Sequence, residues 1–143
     1  MTRLDMGSPF RQKGIFTVEF AIVCGLFFLI LFTVLEGARL IYTYHSIANI
    51  ARDGIRYASV RGTEAGEDSL RVGDAPVAVA QLKSYLNQRS NISDLDITTS
   101  WTDGEALLSG DIISINVSVD FEPVTPFIPS ITLTSDANSI IYY

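Results

Sequence analysis

Lys13-Gly14-Ile15-Phe16-Thr17-Val18-Glu19-Phe20 opens an apolar run that continues to Leu35, and its reading decides the architecture. Residues 15–35 are 21 in number, and at about 1.5 Å rise each they make a helix roughly 30 Å long, one hydrocarbon thickness. Fifteen of them are Leu, Ile, Phe or Val. These contribute about −5 to −9 kcal/mol to insertion, against about +3 for a carboxylate at the membrane centre. Insertion wins even with Glu19, the one charged residue of the run. An acid kept inside such a segment asks for a partner.

The charge around this run is lopsided. Residues 1–61 hold seven basic and four acidic side chains, a balance of +3; residues 62–143 hold three and twelve, a balance of −9, which together give the chain's −6. An acidic C-terminal part argues against nucleic acid as a partner, because phosphates are bound by Lys and Arg. The single cysteine, Cys24, lies within the apolar run, so no intrachain disulfide or thiolate metal site is available.

Residues 1–14 lack apolar periodicity and carry Arg3, Arg11 and Lys13 against Asp5. Positive charge on this side predicts a cytoplasmic N-terminus and an extracytoplasmic C-terminal part. The apolar core is too long for a secretory signal peptide, which predicts a retained anchor. No proline occurs between Pro9 and Pro76, so one helix is expected from residue 15 to about 61, with Gly62 as its stop. Leu40, Tyr44, Ile47, Ala51, Ile55 and Ala58 form its apolar stripe; Arg39, Thr43, Ser46, Asn49, Arg52, Asp53 and Arg56 fill the other side. Gly54 interrupts this helix at a cost of about 1 kcal/mol relative to Ala.

The rest reads as a small head. Residues 63–73 are Gly- and acid-rich and predict a loop. Asp74 is a candidate helix cap with Pro76 in the first turn and Val77, Ala80, Leu82 and Leu86 on the buried side, the helix ending near residues 87–91. Then the period changes to two. Leu95, Ile97, Thr99 and Trp101 alternate with polar residues, and Ile113, Ile115, Val117, Val119 and Phe121 do so more cleanly. Asp103-Gly104 and Gly110-Asp111 are turn signals between them. Pro123, Pro126 and Pro129 exclude a central strand from their loop. Residues 131–143 predict a last strand with a weak point at Asp136-Ala137-Asn138. The expected class is α+β: a long N-terminal transmembrane helix continuing into a soluble head with one short helix and three antiparallel strands. The segments are 1–14 as cytoplasmic leader, 15–35 as transmembrane helix, 36–61 as its extramembrane continuation, and 62–143 as head.

With these residues in view, the chain resembles the TadE-like pseudopilins of the tight-adherence branch of type IV pilus assembly. The resemblance is carried by Lys13-Gly14-Ile15-Phe16-Thr17-Val18-Glu19-Phe20, by Glu36-Gly37-Ala38-Arg39, and by Ala48 and Ala51-Arg52-Asp53-Gly54-Ile55-Arg56-Tyr57-Ala58. Gly110-Asp111 followed by an alternating strand and a Pro-Phe loop also fits. The N-terminal half carries most of it. Two departures stand out: Val23-Cys24-Gly25 where the family commonly has an early proline, and Glu36-Gly37-Ala38-Arg39 in place of Glu-x-Gly-Arg. The resemblance implies a bacterial inner-membrane, single-pass minor pseudopilin that takes part in pilus assembly or secretion. It implies a prepilin peptidase cutting between Gly14 and Ile15, with Glu19 and Phe20 serving recognition and assembly, and other pilins or pseudopilins as partners beside the bilayer.

Each signal has a plainer alternative. Glu19 lies only about 6 Å from the start of the run and can snorkel to the headgroups instead of meeting the Ile15 ammonium of a neighbour. Glu36 and Arg39 are candidate helix-packing residues or an ordinary i,i+3 pair worth about 0.2–0.5 kcal/mol. Arg52 and Arg56, with Asp53 and Arg61, are a docking patch for an acidic partner, a solvated helix face, or partners for the head's own acids. His45 has no second imidazole or nearby cysteine for a metal or triad, and Asp103-Gly104-Glu105 and residues 64–68 lack calcium-loop spacing. No nucleophile elbow or phosphate loop occurs, so no enzyme activity, cofactor or metal is expected. The alternative function is a signal-anchored extracytoplasmic binding module whose leader stays on.

Overall fold

The computed structural model describes residues 12–67, 75–102, 105, 107–125 and 128–142. The charged leader residues Arg3, Asp5 and Arg11, the expected cap Asp74, the Asp103-Gly104 turn and Pro126 lie outside the described residues. The chain divides into two compact units with the boundary between Ala38 and Arg39.

Helix α1 spans Gln12–Ser59, 48 residues, without a break. In the second unit, its part from Arg39 onward forms one layer of a helix-on-sheet head. The sheet has three strands, β1 (Asp96–Thr99), β2 (Ile112–Phe121) and β3 (Ile131–Ile140), in spatial order β1-β2-β3 and antiparallel throughout. Period-two alternation produces this directly: Ile113, Ile115, Val117, Val119 and Phe121 are all buried, while residues 112, 114 and 120 are exposed. The inward side chains meet Ile47, Ile50, Ala51, Ile55 and Ala58 of α1, with Leu82 and Leu86 of a third helix completing the core.

The expected class and the three antiparallel strands hold, and local details differ for identifiable reasons. Residues Thr63–Glu67, expected as loop, form a short helix, α2. Ala65 is buried, and the Thr63 N–H donates to the Leu107 carbonyl at 2.8 Å, so tertiary contacts hold a turn that composition alone disfavours. The next helix, α3 (Val79–Arg89), begins later than Pro76 predicted. Val77 is drawn into the core and its N–H donates to the Arg61 carbonyl at 3.0 Å, which commits that amide before the helix starts. The cap is Ala78, whose N–H donates to Gln81 Oε1 at 3.3 Å. Leu82 and Leu86 are buried as the pattern predicts, whereas Ala80 is exposed.

On α1 the stripe is also rotated slightly. Tyr44 is 47% exposed, and Ala48 and Ile50 take the buried positions beside Ile47. The helix ends at Ser59, three residues before Gly62, because Arg61 N–H closes back on the Ala58 carbonyl at 2.9 Å. No weak point interrupts β3. Asp136, Ala137 and Asn138 pair in register with Asn116, Ile115 and Ser114, and the Asn116 amide donates to the Asp136 carboxylate. A cross-strand bond of this kind offsets the poor strand propensity of Asp and Asn.

The Gly110-Asp111 turn forms as expected. Gly110 adopts φ +94°, a left-handed conformation natural to glycine, and Asp111 Oδ2 accepts from the Leu108 N–H at 2.9 Å. Gly110 and Ile141 then tie the turn to the end of β3 through Gly110 N–H to the Ile141 carbonyl at 2.9 Å.

Candidate functional site

The first unit is helical from Gln12 and presents apolar side chains all round. Ile15, Phe16, Val18, Phe20, Ile22 and the large apolar residues through Leu35 are exposed, with Phe16 at 77% and Phe20 at 71%. None of the most apolar 18-residue window is buried within the protein. A helix apolar on every face suits a core helix or a membrane span, and the length and exposure of this one suggest a single-pass anchor. Thr33 is satisfied along the helix's own axis: its Oγ1 donates to the Leu29 carbonyl at 2.8 Å. Phe27 and Phe28 meet edge to face at 5.6 Å, and Phe28 stacks on Phe32 at 6.3 Å.

Glu19 shares one strip of this helix with Gly14, Ile15, Val18 and Ile22, since steps of three and four bring residues to one face. Nothing lies within 4 Å of where a Cβ on Gly14 would stand. The Gly14–Ile15 bond sits in the first turn of α1, whose N–H groups have no intrahelical acceptors, so opening the backbone there gives up little. Phe20, next to Glu19, points elsewhere on the helix and is exposed.

Further along α1, the four named charged positions part company. Glu36 is 6% exposed, a buried carboxylate. Arg39 is exposed and its guanidinium lies over the Phe121 ring at 5.3 Å. Arg52 and Arg56 are exposed on the helix surface, as a docking patch or a solvated face both require. Asp53 and Arg61, grouped with them by sequence, are instead engaged within the head. Asp53 Oδ2 is 4.0 Å from Arg89 Nη1 on α3, and Arg61 Nη1 donates to the Tyr57 carbonyl at 2.9 Å.

The sequence reading missed a stacked column that joins α1 to α3. Arg61 lies 3.6 Å from the Tyr57 centroid, Tyr57 stacks on Tyr85 at 4.1 Å, and Arg89 lies 5.0 Å from the Tyr85 centroid. Two guanidiniums thus clamp a tyrosine pair. The signal was present as two Tyr-x-x-x-Arg spacings, 57/61 and 85/89, each placing the arginine one turn above its own ring.

Among the described residues no group of three His, Cys, Asp or Glu is arranged to hold a metal ion. His45 is exposed beside the Tyr44 ring at 6.2 Å. The arrangement is one of packing surfaces: an apolar helix with one acid, and a head carried on its continuation.

No curated protein and no solved structure matches the chain. Residues 14–56 match the family described as TadE-like protein, consistent with a TadE-like protein of the tight-adherence pilus system, and with the long apolar helix this points to a pilus-assembly-related protein with a single N-terminal membrane anchor.

Proposed function

We propose that this protein is a non-enzymatic minor pseudopilin, cut by a prepilin peptidase between Gly14 and Ile15 and assembled through its N-terminal helix. The observation that carries the reading is the coincidence of three features on one strip of α1: the Gly14–Ile15 bond in its first turn, Glu19 one turn further, and a family match that begins at residue 14. Cleavage converts the Ile15 nitrogen into an ammonium group. A carboxylate in hydrocarbon is costly unless paired, and an ammonium from a neighbouring subunit at the same depth is a suitable mate. Phe20 adds a bulky contact beside it for the peptidase or the adjacent helix.

In this reading residues 1–14 are the cytoplasmic leader, 15–35 the span, 36–61 the continuation, and 62–143 the extracytoplasmic head. The protein is the substrate of a catalyst and performs no chemistry itself, in keeping with a pilus family that is generally non-catalytic. Other pilins or pseudopilins of the same system pack against α1, with Glu36, Arg39, Arg52 and Arg56 as the polar positions along that contact.

The test is co-expression with a prepilin peptidase. The expected product lacks the first 14 residues and begins at Ile15, and replacing Gly14 by a bulky residue blocks its formation. A chain that keeps its leader beside an active peptidase refutes the proposal and favours the uncleaved binding module.

A further inference from the structure

We propose that the free edge of β3 is an interaction surface that takes up an extended strand of a basic partner polypeptide. The added strand sets apolar side chains on the face shared with Leu133 and Ala137, and Lys or Arg on the face shared with Asp136. The inference goes beyond the pseudopilin reading and lies wholly within the head, so it does not rest on leader cleavage or on residues 15–35.

The backbone lays out the edge. In the order β1-β2-β3, strand β3 has β2 on one side and, among the described residues, no strand on the other. Just past β3, the Ile141 N–H donates to the Asp111 carbonyl and the Ile141 carbonyl accepts from the Gly110 N–H, both at 2.9 Å, so its polar groups point to the β2 side. Successive residues of a strand direct these groups to opposite sides. By that alternation Ile131, Leu133, Ser135, Ala137 and Ser139 face β2, while Thr132, Thr134, Asp136 and Asn138 hold their N–H and C=O groups toward the open edge. The Ser114 carbonyl, which accepts from the Ser100 N–H at 3.0 Å, obeys the same alternation on the β1 side. The edge closes at Tyr142, whose N–H donates to the Ser59 carbonyl at 2.8 Å.

Edge strands are ordinarily blunted by shortness, proline, lysine or a bulge. The opposite edge, β1, is four residues long. Strand β3 has ten residues, no proline and no lysine, and its ten-pair register with β2 is unbroken by a bulge. The side chains at 132, 134, 136 and 138 are exposed. A row of donors and acceptors at every second residue is met by another extended backbone, the geometry of strand addition.

Charge selects the occupant. From residue 90 to 143 the chain holds eight acidic residues and no lysine or arginine, and all three strands lie in that stretch. A second copy of β3 would bring Asp136 and no cation to the edge, setting acid near acid. A strand with Lys or Arg opposite Asp136 gains a cross-strand ion pair instead. The Asn116 amide donates to the Asp136 carboxylate and holds it on the outward face. On the inward face Leu133 and Ala137 are only half-buried against the core, so apolar residues of the added strand extend that layer.

The test uses the full chain in zwitterionic detergent micelles, with hydrogen exchange read amide by amide by nuclear magnetic resonance. The probe is an end-blocked nine-residue peptide of alternating valine and lysine. In the protein alone, the amides of Thr134, Asp136 and Asn138 are expected to exchange faster than those of Leu133, Ser135 and Ala137. With the peptide at about ten times its Kd, the three edge amides are expected to slow by about tenfold. Two control peptides separate the causes: a central proline keeps the charge and removes pairing, and glutamate for lysine keeps pairing and reverses the charge. Both are expected to leave the edge amides unprotected.

No protection by the valine–lysine peptide overturns the proposal. Equal protection by the proline peptide reveals charge attraction without strand addition, and equal protection by the glutamate peptide reveals strand addition without a basic partner; either overturns it. Edge amides that are already slow in the protein alone, and slower as its concentration rises, assign the edge to a second copy and overturn it too. Thr134→Pro removes one edge-facing N–H, leaves the ladder to β2 intact, and is expected to weaken peptide binding by about two- to tenfold. Asp136→Lys is expected to transfer protection from the valine–lysine to the valine–glutamate peptide, a swap that an unfolded variant would not give. Unchanged preference in that variant overturns the charge assignment, and failure here leaves the pseudopilin proposal as it stands.

Discussion

Gly54 is where the packing of the head on α1 makes its sharpest demand. A Cβ there would stand 2.9 Å from Leu86 Cδ1, 3.2 Å from Ile115 Cδ1 and 3.4 Å from Leu86 Cδ2. Leu86 and Ile115 are both fully buried, so neither has open space to turn into. Two effects oppose each other in Gly54→Ala. Helix propensity favours alanine by about 1 kcal/mol. Overpacking a full core costs about 1–3 kcal/mol. The expected net change is a loss of about 0–2 kcal/mol, against the usual stabilisation by alanine inside a helix. Leu86→Ala alone removes the closest and third-closest methyl groups, leaving Ile115 Cδ1 at 3.2 Å, and costs about 2–5 kcal/mol. In that background Gly54→Ala recovers its propensity and fills part of the cavity, so its sign reverses to a gain of about 1 kcal/mol. The assay is urea unfolding of the full chain in detergent, followed by the fluorescence of Trp101, the single tryptophan, which is 4% exposed in the head core. A double-mutant cycle separates this coupling from the individual effects. If Gly54→Ala changes stability equally in both backgrounds, to within about 0.5 kcal/mol, close approach is not what keeps glycine at this position.

Other consequences are simpler to state. Glu19→Ala is expected to leave membrane insertion intact, since it removes a carboxylate costing up to about 3 kcal/mol. It should weaken pilus assembly in a complementation assay, and normal piliation by that variant would remove the pairing role. Ile115→Ala, at a fully buried position between α1 and α3, should lower stability by about 2–5 kcal/mol in the same urea assay. Tyr85→Ala breaks the Arg61–Tyr57–Tyr85–Arg89 column and is expected to cost more than Asp53→Ala, which removes only a long, exposed ion pair worth less than about 1 kcal/mol. Equal losses in the two variants would show that the column adds nothing to the fold.

How much of this was legible beforehand follows from range of interaction. The apolar stretch of residues 15–35 needs only composition to be recognised, because transfer into lipid depends on side-chain type and not on particular neighbours. The strand β2 was equally plain, since burial on one face writes a period of two into the chain. The α2 helix and the late start of α3 were not, because Thr63 is held by Leu107 and Val77 by Arg61, residues far from or outside the local pattern. The candidate positions divide in the same way. Gly14, Ile15, Glu19 and Phe20 are neighbours along one helix, so their spacing could be read directly. Among the charges further along, a contact with another element separated Asp53, which meets Arg89 of α3, from Arg52 and Arg56, whereas the hold of Tyr57 on Arg61 was written in their spacing.

The sequence by itself therefore determined that this protein has a long apolar stretch bearing a single acid, followed by an α+β head with three strands. Both follow from local periodicity and transfer free energy. Only the tertiary structure decided why residue 54 is glycine and that Asp53 and Arg89 meet across α1 and α3. Each of those depends on how closely distant segments approach, and spacing along the chain carries no measure of that distance.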